Sequence, residues 1–296
     1  MSLPHRLHSS LPRTSLLIAL NLLLISACGP SIQRPTGLAS EYEDAKDMFK
    51  RGKFDRALDF TDGLVSGSTP NKFTERACVL RGVIFTGLIH AYKDVSDAYS
   101  KGAENAKDPH YRAEFVRLRH DNLQMGSKGA LGLGEVARCL IHDGTLPKEL
   151  TLEAPYPSVE GPLEVGELIR VSQGGSIEPE QQEAAANDAV RKGIDDSLAA
   201  AVGGDRTKAR SALAGGSTKL DGVDFSLYLG QTLLDGAGLF DRTHIHDPER
   251  ARTILNLADE SAKAGLALLK DNPNQAKEDK LKKLQGEIKT ALKSAV

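Results

Sequence analysis

Leu80, Ile84, Leu88, Ala91, Val95 and Ala98 recur by threes and fours. That spacing brings every apolar group to one face of an α-helix and to no single face of a strand, whose side chains alternate with period two. The stripe predicts a long helix ending near Asn105, because Asp108-Pro109 offers an N-cap side chain and a proline for the first turn of a successor helix running from His110 to about Ile141. An amphipathic helix must cover its stripe with another element, so a chain written this way folds as an array of helices. Composition agrees: Ala, Leu, Lys, Glu and Asp are abundant, aromatics make up 5% and Trp is absent, which gives little flat surface for sugars or aromatic ligands.

The same reading carries into the C-terminal part. Helices are expected from Glu180 to Ala201, from Asp205 to Leu213 and from Val223 to Phe240, followed by two more. Ala251, Leu255, Ala258, Ala262, Leu266 and Leu269 form the stripe of the first of these, and Leu281, Leu284, Ile288 and Ala291 that of the second, with a break at Asn272-Pro273-Asn274. Between the helical stretches, residues 143–179 hold Pro147, Pro155, Pro157, Pro162 and Pro179 and the pair Gly174-Gly175; no long helix survives that density of breakers. A short strand is expected at Leu168 to Val171. The fold class is therefore all-α, a helical-repeat or bundle array, with a helical half at 41–142, a Pro/Gly-rich connector at 143–179 and a second helical half at 180–296.

The halves share local chemistry. "KDPHYRAEFVRLRHD" (107–121) aligns with "HDPERARTILNLAD" (246–259) through their Asp-Pro steps, and "GSTPNKFTERACVLRG" (67–82) with "GSTKLDGVDFSLYLG" (216–230). Offsets near 138 to 152 residues suggest a duplicated four-helix unit; reuse of the same turn chemistry by unrelated helices is the alternative.

The first 27 residues contain Arg6 and Arg13 but no Asp or Glu, and Ser15 to Ile25 is an uncharged, mostly aliphatic run of 11 residues. That is short of the ~20 apolar residues a spanning helix needs and suits the core of an export signal. Ile25-Ser26-Ala27-Cys28 then resembles the bacterial lipobox, an aliphatic and two small residues before a cysteine. The resemblance implies cleavage before Cys28, diacylglycerol on its thiol and acylation of the new amine, hence a lipid anchor in the cell envelope. Gly29 is not the aspartate that retains such proteins in the inner membrane, so the resemblance points to the outer membrane facing the periplasm. Residues 28–40 then read as the lipidated cysteine and a flexible tether.

In "EYEDAKDMFKRGKFDRALDF" apolar residues recur at helical spacing on both sides of Gly52, which ends one helix and lets a second pack antiparallel. This stretch resembles a degenerate tetratricopeptide repeat: Ala45, Gly52, Phe54 and Ala57 fall at its small, glycine, aromatic and alanine positions and Pro70 lies near its closing proline, while Thr61 and Leu64 depart from it. A generic helical hairpin is the other reading of the same residues.

Candidate chemistry is sparse. His244 and His246 alternate, as two ligands of one ion do on an extended segment. Yet Asp247 is already the N-cap before Pro248, and no third histidine lies close, so a polar loop without metal is expected. "GSKGALGLG" (126–134) lacks the Gly-Lys-Ser/Thr ending of a phosphate loop and reads as small residues that let two helices approach. His120-Asp121 and His142-Asp143 are sequence neighbours, which do not face each other on a helix. No Gly-x-Ser-x-Gly occurs, so the expectation is a non-enzymatic protein without cofactors other than the lipid.

The formal charge is −2, and about −4 without Arg6 and Arg13, which offers no basic surface for nucleic acid. Of three cysteines, Cys78 and Cys139 stand almost symmetrically about the Asp108-Pro109 turn. Antiparallel helices would return them to the same end, where they either bridge or remain two buried thiols. Two functions follow: a membrane-anchored scaffold that binds an envelope protein or peptide, or a small-molecule-binding accessory lipoprotein of a periplasmic solute transporter.

Overall fold

A computed structural model describes residues 37–66, 70–157, 166–175 and 178–295. Cys28, the residues expected to form an export signal and most of the expected tether lie outside them. Helix α1 (Leu38–Lys50) ends where Arg51 and Gly52 reverse the chain; Gly52 has φ +70°, a left-handed conformation that costs glycine nothing. Helix α2 (Phe54–Val65) returns against α1. Helices α3 (Thr74–Asn105) and α4 (Pro109–Leu140) follow, each 32 residues and so about 48 Å long at ~1.5 Å per residue. Between them the Asp108 carboxylate accepts the His110 backbone N–H at 2.8 Å and Pro109 fills the first turn, so the junction is built by local chemistry alone.

Residues 77–89 of α3 are all buried. The stripe at Leu80, Ile84 and Leu88 accounts for one face; Val79, Val83, Phe85 and Ile89 carry the burial around the rest, so this stretch is enclosed on every side. Its neighbours are α2, α4, the strand β1 (Glu149–Leu152) and, from the second half, α6 (Pro179–Ala201) and α8 (Gly222–Ala237).

The connector supplies structure of its own. β1 pairs antiparallel with β2 (Thr218–Asp221), Glu149 opposite Asp221 and Leu152 opposite Thr218. The strand expected at Leu168–Val171 is instead part of a short helix, α5 (Gly166–Ser172). The reason lies in burial: Leu168 and Val171, three apart, both point inward at 5% and 0% exposure, while Ile169 is 58% exposed, a period that only a helix provides.

In the second half, α6 begins with a capping box in which Glu178 and Gln181 each bind the other's backbone N–H. Helix α7 (Arg206–Ala212) is capped by Asp205, and α8 by Asp221. The helix expected to reach Phe240 does so in two parts, α8 and a 3-10 turn at Gly238–Phe240. Helices α9 (Pro248–Leu269) and α10 (Gln275–Ser294) close the chain, capped by Asp247 and Asn274. The molecule is all-α, with ten helices and one two-stranded sheet among the described residues.

The halves are interleaved rather than set side by side. Helix α6 crosses α3 where Gly193 meets Gly87: a Cβ on Gly193 would collide with the Gly87 carbonyl oxygen, and one on Gly87 would lie 2.8 Å from Ile194 Cα. One apolar core runs from Phe49 and Phe54 through α3 and α4 to Phe225, Ile254 and Leu284. Helices α4 and α9 share an Asp-Pro start, but the α3–α4 and α8–α9 pairs differ in length, 32 and 32 residues against 16 and 22.

Candidate functional site

The α3–α6 crossing also opens a cleft. With α6 held down at Gly193, its preceding turn (Asn187, Val190, Arg191) faces the α1–α2 reversal across Leu88 and Tyr92 of α3. The cleft has a volume of about 440 Å³. Phe54, Leu88, Tyr92 and Val190 form its apolar floor, and Arg51, Lys53, Arg56 and Arg191 stand at its rim with Asp55 the one carboxylate in the lining. Three of the cations lean on exposed partners of their own helices: Arg51 on Asp47 at 2.9 Å, Arg56 on Asp59 at 3.7 Å and Arg191 on Asp188 at 3.5 Å. Lys53 has no ion-pair partner among the described residues. Burial raises the Tyr92 hydroxyl above its ordinary range and the charge of Asp55 adds to this, so the phenol stays neutral beside the cations.

Of the hairpin residues singled out in the sequence, Gly52 and Phe54 line this cleft, whereas Ala45 and Ala57 are wholly buried between helices. Cys78 and Cys139 are joined by a disulfide, their Cα atoms 6.5 Å apart, which ties the first turns of α3 to the last turn of α4. The glycines at 126–134 lie inside α4 against other helices: a Cβ on Gly129 would touch Ile89 Cγ1 at 3.3 Å, and one on Gly132 would enter the Phe85 ring.

His244 and His246 occupy the loop between the 3-10 turn and α9. His244 Nδ1 lies 2.7 Å from Asp241 Oδ1, and the same oxygen accepts the Thr243 N–H and hydroxyl at 2.8 Å each. Burial would raise the Asp241 carboxyl, but these bonds and the neighbouring His244 outweigh it and hold it below the usual range. His246 (φ +58°) points away into a second groove of about 430 Å³, floored by Leu234, Phe240, Pro248 and Leu255. No group of three or more His, Cys, Asp or Glu suited to a metal occurs among the described residues.

Sequence reasoning missed the buried polar links. Arg81, 6% exposed in the middle of an apolar run, donates to the Leu58 carbonyl and to Thr61 Oγ1 at 3.1 Å, pairs with Asp62 and lies over the Phe85 ring. Ser197 donates to the Val83 carbonyl at 2.7 Å, so the Tyr228 hydroxyl, also at 2.7 Å, must donate to Ser197. Burial pushes that phenol up to about 12. An arginine inside an apolar run was the one legible signal among these.

Comparison of the chain with protein-family models and with curated proteins finds no match.

Proposed function

We propose that this chain is a lipid-anchored, non-enzymatic scaffold of the bacterial cell envelope, carried on the periplasmic face of the outer membrane, which holds an envelope protein or peptide in an open cleft. Its first hairpin serves as a degenerate tetratricopeptide-like repeat. The observation that carries the reading is the form of the clefts: apolar floors with charged rims, set on helices that glycines bring into close contact. A polypeptide laid over such a surface buries side chains in the floor and satisfies its polar groups at the rim. The lipobox at Cys28 supplies the anchor, which stays stable only when more than one acyl chain is attached.

The groove beside His246 supports a second reading. Its ~430 Å³ and largely apolar lining fall within the range of about 300–1,000 Å³ typical of small-ligand pockets. An accessory role in solute transport would use it.

Two measurements test the proposal. Replacement of Cys28 by Ala should abolish labelling with radioactive palmitate and release the protein from membranes; a variant that still labels and pellets overturns the anchor. Crosslinking the wild-type protein in intact envelopes, followed by affinity purification and mass spectrometry, should return a specific protein neighbour. Recovery of a stoichiometric small molecule with no protein neighbour would favour the accessory reading.

A further inference from the structure

We propose that α5 is a strap that lifts off the C-terminal end of α3 as one unit while the rest of the molecule stays folded. The inference goes beyond the scaffold reading and does not depend on it. Leu168 and Val171 do not join the core that runs from Phe49 to Leu284. They close a separate cluster with Tyr99 and Ala106 at the end of α3 and with Phe115 and Leu118 of α4.

α5 has seven residues, and isolated helices shorter than ~12–15 residues are marginal in water. It therefore persists only through what it touches, and that is little. Of its described side chains Leu168 and Val171 alone are buried. The polar ties to its neighbours are exposed: Asn105 Nδ2 donates to the Ser172 carbonyl at 2.8 Å, and Arg170 donates to Gln181 Oε1 at 2.6 Å on the first turn of α6. Water replaces such bonds readily. The ion pair of Arg170 with Glu167 lies within α5 and leaves with it.

The seat beneath is already shaped. Gly102 presents no side chain where the strap comes down: a Cβ there would lie 2.5 Å from the Val171 carbonyl oxygen and 3.1 Å from the Phe115 ring. Gly102 and Phe115 belong to the 32-residue helices α3 and α4, which the Asp108-Pro109 turn joins at this end and the disulfide at the other. They keep their places when α5 leaves. Leu168 and Val171 stand one turn apart on the same face, so neither can come out far without the other and the segment opens together. A unit with few buried apolar contacts and exposed links opens below the free energy of global unfolding. Lifting it uncovers Gly102 and the edge of Phe115 beside it.

Hydrogen–deuterium exchange of the full-length protein in rising urea tests the proposal. Peptides within 166–175 should exchange about hundredfold or more faster than those within 77–89 of α3, which open with the core. Their exchange should still accelerate with urea, though less steeply, because lifting exposes a small buried surface. Leu168→Ala should speed exchange of 166–175 about tenfold or more. Gly102→Ala, which alters only the seat, should speed the same peptides. Ile288→Val, in the main core, should speed exchange of 77–89 about threefold or more and leave 166–175 unchanged, since the closed and lifted forms both keep that contact. Circular dichroism checks that each variant keeps its helix content. Equal acceleration of both segments by Ile288→Val would mean that α5 leaves only when the whole chain unfolds. Exchange of 166–175 that ignores urea would mean fraying residue by residue, and no protection there at all would mean that the strap is never closed. Any of these results overturns the proposal.

Discussion

Glu153, one residue past β1, gathers groups from two helices: Lys46 Nζ at 2.8 Å and Arg76 Nη1 at 2.6 Å donate to its carboxylate, and the Tyr42 hydroxyl donates to its backbone carbonyl at 3.1 Å. Burial would raise the carboxyl, but the hydrogen bond and charge of Lys46, with those of Arg76, outweigh it and hold the group below its ordinary value of 4.5. A carboxylate depressed on folding contributes stability above its unfolded value, and that contribution is lost as pH falls through the folded value. Glu153→Gln should therefore cost about 1 kcal/mol at pH 7, a figure discounted for partial exposure, and almost nothing near pH 3. Urea unfolding at the two pH values checks this; an equal loss at both would mean that the ion pairs do not carry the effect. Nothing in the sequence around Glu153 announces the role, since its partners stand 77 and 107 residues away.

At the scale of elements, two glycines with the same helix propensity are expected to behave in opposite ways. Gly193 sits where α6 crosses α3, and a Cβ there would strike the Gly87 carbonyl oxygen. Gly193→Ala should destabilise by about 1–3 kcal/mol through overpacking, even though alanine gains up to ~1 kcal/mol in propensity. Gly286, in α10, has nothing near an added Cβ, so Gly286→Ala should raise stability by up to ~1 kcal/mol. Thermal unfolding of both variants decides; a stabilised Gly193→Ala would show that the crossing is looser than described. The helix starts at Asp108-Pro109 and Asp247-Pro248 were legible because capping is chemistry between near neighbours. The run Leu168–Val171 was not, because four residues are too few to fix a period and the choice falls to whatever lies alongside. The cleft was half legible: Gly52 and Phe54 stood out in the hairpin, but the opposing wall, Asn187 to Arg191, reaches them only through the α3–α6 crossing.

Across the whole molecule, the shared core predicts one unfolding transition for the described residues rather than one per half. The Cys78–Cys139 bridge closes a loop of sequence separation 61 at the N-terminal end of that core. In the chain-entropy account such a loop restricts the unfolded chain by about 4 kcal/mol. A Cys78→Ala, Cys139→Ala variant should lose a comparable amount, less whatever the two alanines recover in packing, and should still unfold in one step with the native helix content. Two resolved transitions by calorimetry would instead mean that the halves are separable units.

The interleaving also sets a timetable. Gly193 follows Gly87 by 106 residues, so a chain made from its N-terminus must display the matching face of α3 bare while the rest is still being added. At ~5–20 residues per second that wait lasts roughly 5 to 20 s. Gly87 and Ala91, which α6 covers at Gly193, and the Val83 carbonyl that Ser197 satisfies, remain in water for that interval. Such a polypeptide is expected to gain from cover at this face until the helix ending at Ala201 has been delivered.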